Sequence, residues 1–179
     1  MGFKDHFSRQ SAAYGRYRPA YPPQLIEYVA AQAPGRRAAV DCATGNGQAA
    51  VALARHFGIV ALWTYEHFRV DAAVDAVIDD FYVHVVGRDW PPERRYVEQG
   101  YRTLPFPWHE LPAPAFALET DWELEQVMGY LATWSSVQRY KERTGEDPLP
   151  ALEPRLAALW PRSVALRLRW PIHLRIGRA

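Results

Sequence analysis

Residues Ala39-Val40-Asp41-Cys42-Ala43-Thr44-Gly45-Asn46-Gly47-Gln48-Ala49-Ala50-Val51 decide the fold. A short apolar run ends in an acid, a glycine-punctuated turn follows, and an alanine-rich segment of helical character comes directly after it. Strand, tight turn and helix in this order let a backbone approach a nucleotide-like ligand, with the first amides of the helix facing it. Glycine permits main-chain angles and a closeness that a Cβ forbids. Asp41, at the carboxyl end of the strand, is placed to accept hydrogen bonds from a ligand. A tight strand–helix turn that binds nothing is the simpler alternative.

Working outward, a helix runs from about Gln48 to His56, and Gly58 to Trp63 is a continuous apolar run of strand length. Such a run fits a parallel strand buried on both faces. Residues 38–66 therefore read as a strand-turn-helix-strand unit, which should cross over right-handed. On the amino-terminal side, Pro22-Pro23 opens a helix with Leu25, Ile26 and Val29 on its apolar side, and Pro34-Gly35 ends it. Residues 1–21 are aromatic and basic. They form either an arm lying across the core or a lid whose Tyr14, Tyr17 and Arg18 close over a ligand.

On the carboxyl-terminal side, Val70, Val74, Val77, Ile78, Phe81 and Val85 recur at helical spacing over 70–86. Residues 87–115 hold much of the proline and few periodic signals, and a loop of that length in a compact domain is usually functional. Their aromatics argue against disorder. A strand over Phe116–Glu123, a helix over Leu124–Tyr140 and a shorter one over Pro148–Trp160 follow. The last segment alternates, with Val164, Leu166, Leu168, Trp170, Ile172, Leu174 and Ile176 on one face and Arg167, Arg169, His173 and Arg175 on the other. Period two means a half-buried strand, and Pro171 puts it at an edge or a bulge. The pattern predicts a single α/β domain with a short, mostly parallel sheet, an antiparallel C-terminal edge strand and flanking helices.

Composition sets the outer limits. The 179 residues suffice for one domain with a real core, and 49% hydrophobic content fits a soluble globular protein. Twenty-one basic and twenty acidic residues nearly cancel, so nothing in the charge calls for nucleic acid or an anionic membrane. Only Lys4 and Lys141 are lysines, so the arginines point to ion pairs or carboxylate recognition. Cys42 is the sole cysteine, which agrees with a reducing cytoplasm. No signal peptide is visible, and no apolar run approaches the ~20 residues of a membrane span. The six histidines are scattered without metal-ligand spacing, and there is neither a Gly-x-Ser-x-Gly elbow nor a Gly-Lys-Ser/Thr phosphate loop.

Three stretches together carry a resemblance: Phe3-Lys-Asp-His-Phe-Ser8, Tyr14-x-x-Tyr-Arg-Pro-x-Tyr-Pro22 and Asp41-Cys-Ala-Thr-Gly-Asn-Gly-Gln48. They resemble the amino-terminal part of class I S-adenosylmethionine-dependent methyltransferases, in the small-molecule branch that includes trans-aconitate-methyltransferase-like proteins. Ala61-Leu-Trp-Thr-Tyr65, Trp90-Pro-Pro-Glu-Arg-Arg95, Trp134-Ser-Ser-Val-Gln-Arg-Tyr140 and Arg169-Trp-Pro-Ile-His-Leu-Arg175 extend the likeness over nearly the whole chain.

The resemblance implies a reduced Rossmann-like methyltransferase fold. It further implies S-adenosylmethionine or S-adenosylhomocysteine as cofactor, held by Asp41, Ala43, Thr44, Gly45, Asn46, Gly47 and Gln48 with Tyr14 and Arg18 above. No obligate catalytic base is identifiable. Arg95 and Arg139, with Arg94, are candidates for reading an acceptor carboxylate, and Trp134 for capping it; ion pairs on the cap explain the arginines equally well.

Two departures accompany it. Ala43 stands where the family turn usually has glycine. More drastically, Arg55-His56-Phe57 runs straight into Gly58–Tyr65, so a central block on the order of a half-domain is missing after Phe57. The lost block would contain the acid that holds the cofactor's ribose. Glu66, twenty-one residues after Gly45, lies near the ~20-residue offset of such an acid; it either stands in for it, as the spacing allows, or is a surface glutamate on what the alignment makes a later strand. Three functions follow as alternatives: a working small-molecule methyltransferase, an inactive remnant that still binds cofactor, or a non-enzymatic interaction module. Sheet edges left by the loss predict a homodimer, formed by strand or domain exchange.

Overall fold

The computed structural model describes residues 21–33 and 59–178. In chain order the elements are α1 (Pro23–Gln32), β1 (Ile59–Tyr65), α2 (Ala72–Asp80), α3 (Arg94–Glu98), β2 (His109–Leu111) and β3 (Phe116–Trp122). They continue with α4 (Leu124–Ala132), α5 (Ser135–Thr144), α6 (Leu149–Ala157) and β4 (Leu166–Arg178). These residues pack as two compact units. The first holds residues 68–91 and 119–169; the second holds 21–33, 59–67, 92–118 and 170–178. The expected arm, and the 38–66 unit up to residue 58, lie outside the described residues.

Helix boundaries in the first unit follow from hydrogen bonding. The Asp71 side chain accepts from the Ala73 and Val74 amides at 2.9 and 3.0 Å, so α2 starts at Ala72. Its continuation over Phe81–Val85 widens into a π-turn, closed by Val86 N–H donating to the Phe81 carbonyl at 3.1 Å. The single helix expected over 124–140 is two helices. Trp134 has extended backbone (φ −68°, ψ 133°), and Gln138 Nε2 reaches back to the Ala132 carbonyl at 2.8 Å.

That break drops the Trp134 ring into the core, where it meets Phe81, Tyr82, Trp90 and Tyr130 at centroid distances of 5.4–6.3 Å. A ring buried this fully contributes on the order of 5 kcal/mol of transfer free energy. Val74, Ile78, Val127, Leu131, Val137, Leu152, Leu156 and Leu168 complete the core. Asp71, the Glu123–Gln126 capping box and Gly145, at φ +77° after α5, supply the caps.

In the second unit β4 carries β1 on one side and β2 on the other. Both pairings are antiparallel, from Ile59↔Arg178 to Tyr65↔Ile172 and from His109↔Arg178 to Leu111↔Ile176. The α/β class and flanking helices are as expected, within an open antiparallel sheet compatible with a reduced Rossmann-like fold. The strand directions differ from the expectation: β1 is not parallel to its neighbour, and β4 is no edge.

The reason lies in the apolar run at β1. Its burial alternates, with Val60, Leu62 and Thr64 buried and Ala61, Trp63 and Tyr65 only half-buried, on the face they share with Ile172 and Ile176 of β4. The outer face reads as apolar because it is aromatic: Tyr21 packs edge-on against Trp63 and Tyr65 at 6.0 and 6.1 Å. Inward, Val60 and Leu62 meet Tyr101, Phe106 and Trp108 from the 87–115 stretch. That stretch is thus built into structure through α3 and β2 rather than left as one long loop.

Candidate functional site

Register at the end of β1 places the most distinctive side chain of the second unit. The ladder stops at Tyr65↔Ile172, and one further step would set Glu66 against Pro171, which has no N–H to donate. Glu66 therefore stands just past the strand. On β4 its diagonal neighbour on the same face is His173, whose Nε2 lies 2.8 Å from Glu66 Oε1. A carboxylate only accepts, so Nε2 carries the hydrogen. Both side chains are about a quarter to a third exposed, at 26% for His173 and 32% for Glu66.

Behind the imidazole lies a turn with left-handed backbone at two successive residues, Gly100 at φ +56° and Tyr101 at φ +60°. A Cβ on Gly100 would sit 2.8 Å from His173 Cγ and 3.0 Å from Nδ1, so only glycine lets the chain pass there. The positive φ of Tyr101 is unfavourable for a residue with a side chain. It is held by Arg175, whose Nη1 donates to the Tyr101 and Leu104 carbonyls at 2.9 and 3.0 Å.

The same guanidinium grips Glu110 through Nε and Nη2, both at 3.0 Å, and lies 4.5 Å above the Phe106 ring. Those hydrogen bonds hold the Glu110 carboxyl below the usual range, against its partial burial. Gly100, Arg102, Glu110, Ala113, Pro114, Ala115, His173 and Arg175 are among the residues lining an open cleft of about 510 Å³. Its size suits a small molecule. Among the described residues Arg102 offers its guanidinium to no partner.

Of the residues nominated from sequence, Tyr14, Arg18, Asp41, Ala43, Thr44, Gly45, Asn46, Gly47 and Gln48 lie outside the described residues. Glu66 and Arg95 belong to the second unit, Trp134 and Arg139 to the first. Arg95 is exposed and donates to the Tyr96 hydroxyl at 2.9 Å. Trp134 is 4% exposed, within the aromatic cluster. Arg139 is exposed and adds a minor attraction to Asp89. The main partner of Asp89 is Arg143, at 2.7 and 2.8 Å; its hydrogen bonds lower the Asp89 carboxyl against burial.

Sequence reasoning did not find His173, Gly100 or Arg175 as site residues. Alternation along the last strand does put His173 and Arg175 on its polar face. Spacing carries no sign that Glu66, 107 positions away, is the partner of His173. Among the described residues no group of three or more His, Cys, Asp or Glu could hold a metal ion, and no helix is long and apolar enough to cross a membrane.

Comparison with known proteins places this geometry. No family model matches the chain. A candidate methyltransferase of Dictyostelium discoideum is 19% identical over 225 residues, covering 86% of each chain. A solved structure titled as that of a candidate type II methyltransferase from Anaeromyxobacter dehalogenans is 34% identical, with a TM-score of 0.77, and the match covers 90% of this chain and 98% of that one. Identity at that level across almost all of a solved relative reaches beyond the shared fold, and the chain belongs to the methyltransferase family.

Proposed function

We propose that the protein is a cytoplasmic S-adenosylmethionine-dependent methyltransferase of the trans-aconitate-methyltransferase-like branch, acting on a small-molecule acceptor that carries a carboxylate. The observation that carries this reading is the 34% identity spread over 98% of a methyltransferase structure. Asp41, the 43–48 turn, Tyr14 and Arg18 are assigned to the methionine end of the cofactor by resemblance. The described residues allow one test of fit, at Glu66. It is an acceptor-only group at a strand end, with Oε1 bound to His173 and Oε2 taking no hydrogen bond among the described residues. A carboxylate with one oxygen fixed and one available suits a pair of ribose hydroxyls.

When bound, the cofactor supplies an electrophilic methyl group on a sulfonium. The chain's contribution is proximity and in-line alignment of the acceptor oxygen, which needs no proton removed when that oxygen belongs to a carboxylate. Arg95 and Arg139 are each proposed, as separate candidates, to read the acceptor carboxylate, since a guanidinium binds carboxylate through two parallel hydrogen bonds. Trp134 serves the acceptor by holding the start of α5, which carries Arg139. A block lost after Phe57 is part of this reading on the resemblance alone; the Dictyostelium alignment runs over 225 residues against the 179 of this chain without locating a gap.

Titration calorimetry with S-adenosylmethionine and S-adenosylhomocysteine tests the cofactor. Binding is expected for both, and Asp41→Ala should weaken it at least tenfold. No heat at millimolar ligand would end the reading. Binding without methyl transfer to any carboxylic acid of a small-molecule panel would favour the inactive remnant. The homodimer is proposed from β1, which has β4 on one side and no strand on the other among the described residues. Light scattering at twice the chain mass is the expected result, and a monodisperse monomer would refute it.

A further inference from the structure

We propose that His173 is the positioning residue for Glu66 and that the Gly100 turn is the backstop that keeps it so. The inference rests on the reading of Glu66 as the ribose-binding acid. Three separate parts of the second unit converge on one carboxylate. Pro171 ends the β1–β4 ladder at Tyr65 and leaves Glu66 outside the sheet's own pairing. His173 fixes Oε1 at 2.8 Å. Gly100, with its positive φ, presses so closely on the far edge of the imidazole that not even a methyl group fits between them.

The ring is thus braced between a backbone and a carboxylate, with Nδ1 against Gly100 and Nε2 on Glu66. Nε2 is committed to Glu66, so the imidazole acts through that carboxylate. A glutamate past the end of a strand has three rotatable bonds and would otherwise sample many rotamers. One charged hydrogen bond to a braced ring selects the rotamer that leaves Oε2 for a ligand. The turn is itself built to hold that backstop, since Arg175 ties the carbonyls of Tyr101 and Leu104 while neutralised by Glu110. Among the described residues the ring meets the Glu66 carboxylate and the uncharged Gly100 backbone, and Arg102 and the Arg175–Glu110 pair line the same cleft.

Calorimetry with S-adenosylhomocysteine on the full chain tests the proposal with Glu66→Gln, His173→Leu, His173→Gln and Gly100→Ala. His173→Leu should weaken binding about tenfold, the loss of one charge-assisted hydrogen bond. His173→Gln, whose amide nitrogen reaches the position of Nε2, should return affinity to within about threefold of the starting protein. Gly100→Ala should behave like His173→Leu. Equal weakening by the Leu and Gln variants would make His173 a packing residue and overturn the positioning role.

Unchanged affinity in His173→Leu alongside weakening in Glu66→Gln would overturn the positioning role and leave Glu66 as the ribose acid. Unchanged affinity in Glu66→Gln would remove the Glu66 reading and the inference with it. Nitrogen NMR of the imidazole provides a readout independent of ligand. At neutral pH the hydrogen should sit on Nε2 in the starting protein, and a predominant Nδ1–H form would refute the pair.

Discussion

Removing Arg143 should cost the first unit more than removing Asp89, although the two residues make the same pair. Arg143 donates two parallel hydrogen bonds to the Asp89 carboxylate, at 2.7 and 2.8 Å. The side chain of Asp89 is 6% exposed, whereas that of Arg143 is 35% exposed and its guanidinium lies 5.0 Å from the Tyr140 ring. Asp89→Ala frees a cation that turns to water and keeps its ring, so the cost is the hydrogen bonds alone, about 2 kcal/mol. Arg143→Ala leaves a carboxylate buried without its partner, and the desolvation penalty then stands uncompensated, at about 3–4 kcal/mol. For a chain of this length the second loss corresponds to about 6–16 °C in Tm.

Acid separates the two variants further. Arg143 holds the folded Asp89 carboxyl below its ordinary 3.8, so this group contributes stability that is present above that value and lost as pH falls through the lower folded one. The starting protein should therefore lose this increment below about pH 4. In Arg143→Ala the main lowering cause is gone and burial is opposed only by the weaker attractions of Arg88 and Arg139, so that variant's deficit should shrink as pH falls and Asp89 takes up a proton. Urea titrations followed by tryptophan fluorescence at pH 7 and pH 4 give both comparisons, since Trp90 and Trp134 belong to the same unit. Equal costs at pH 7, or a deficit in Arg143→Ala that grows with acid, would refute the argument.

Three further changes have expected outcomes. Asp71→Ala removes the acceptor for the Ala73 and Val74 amides and should lower stability by about 1 kcal/mol, read from the urea midpoint at unchanged m-value. Arg175→Met keeps much of the stem over Phe106 but leaves the Tyr101 and Leu104 carbonyls and Glu110 without their donor; a loss of about 2–4 kcal/mol is expected, with amide exchange accelerating first around residues 100–104. Gly145→Ala meets no atom within 4 Å, so its cost is backbone strain alone, about 1 kcal/mol at φ +77°.

Legibility from sequence followed the range of the signal. Local periodicity located β1, β3 and β4 and the apolar faces of α4, because alternation and helical spacing are written within a dozen residues. It failed where a side chain acted on the backbone: the hydroxyl and amide groups of Thr133 and Gln138 that bond the end of α4, and the Asp71 cap that delays α2. The continuous apolar run at β1 was read as two-sided burial. Aromatic rings cover a half-open face just as branched aliphatic residues fill a closed one, and composition does not separate the two. Glu66 was nominated by its distance from Gly45, but its partner His173 was invisible because register across a sheet is set by the strands between. The Asp41–Gln48 turn was the strongest signal in the chain and lies outside the described residues.

The polar face of β4 ties these observations into one argument. Within the first unit Arg167 is held by Asp121 and Glu119, and Arg169 by Glu119. Within the second, Arg175 is held by Glu110 and His173 by Glu66. An arginine-rich, nearly neutral chain thus matches its cations to its own carboxylates along a single strand. Three of those four side chains are permanent cations joined to acids through guanidinium hydrogen bonds. His173–Glu66 is different in kind, a weaker base against one oxygen of the acid, with no partner for the other oxygen among the described residues. Had Glu66 served only the sheet, arginine at 173 would have saturated it as Arg175 does Glu110. Imidazole braced by glycine orients the carboxylate and, among the described residues, leaves it incompletely satisfied, which is the condition that the proposed ribose-binding role requires.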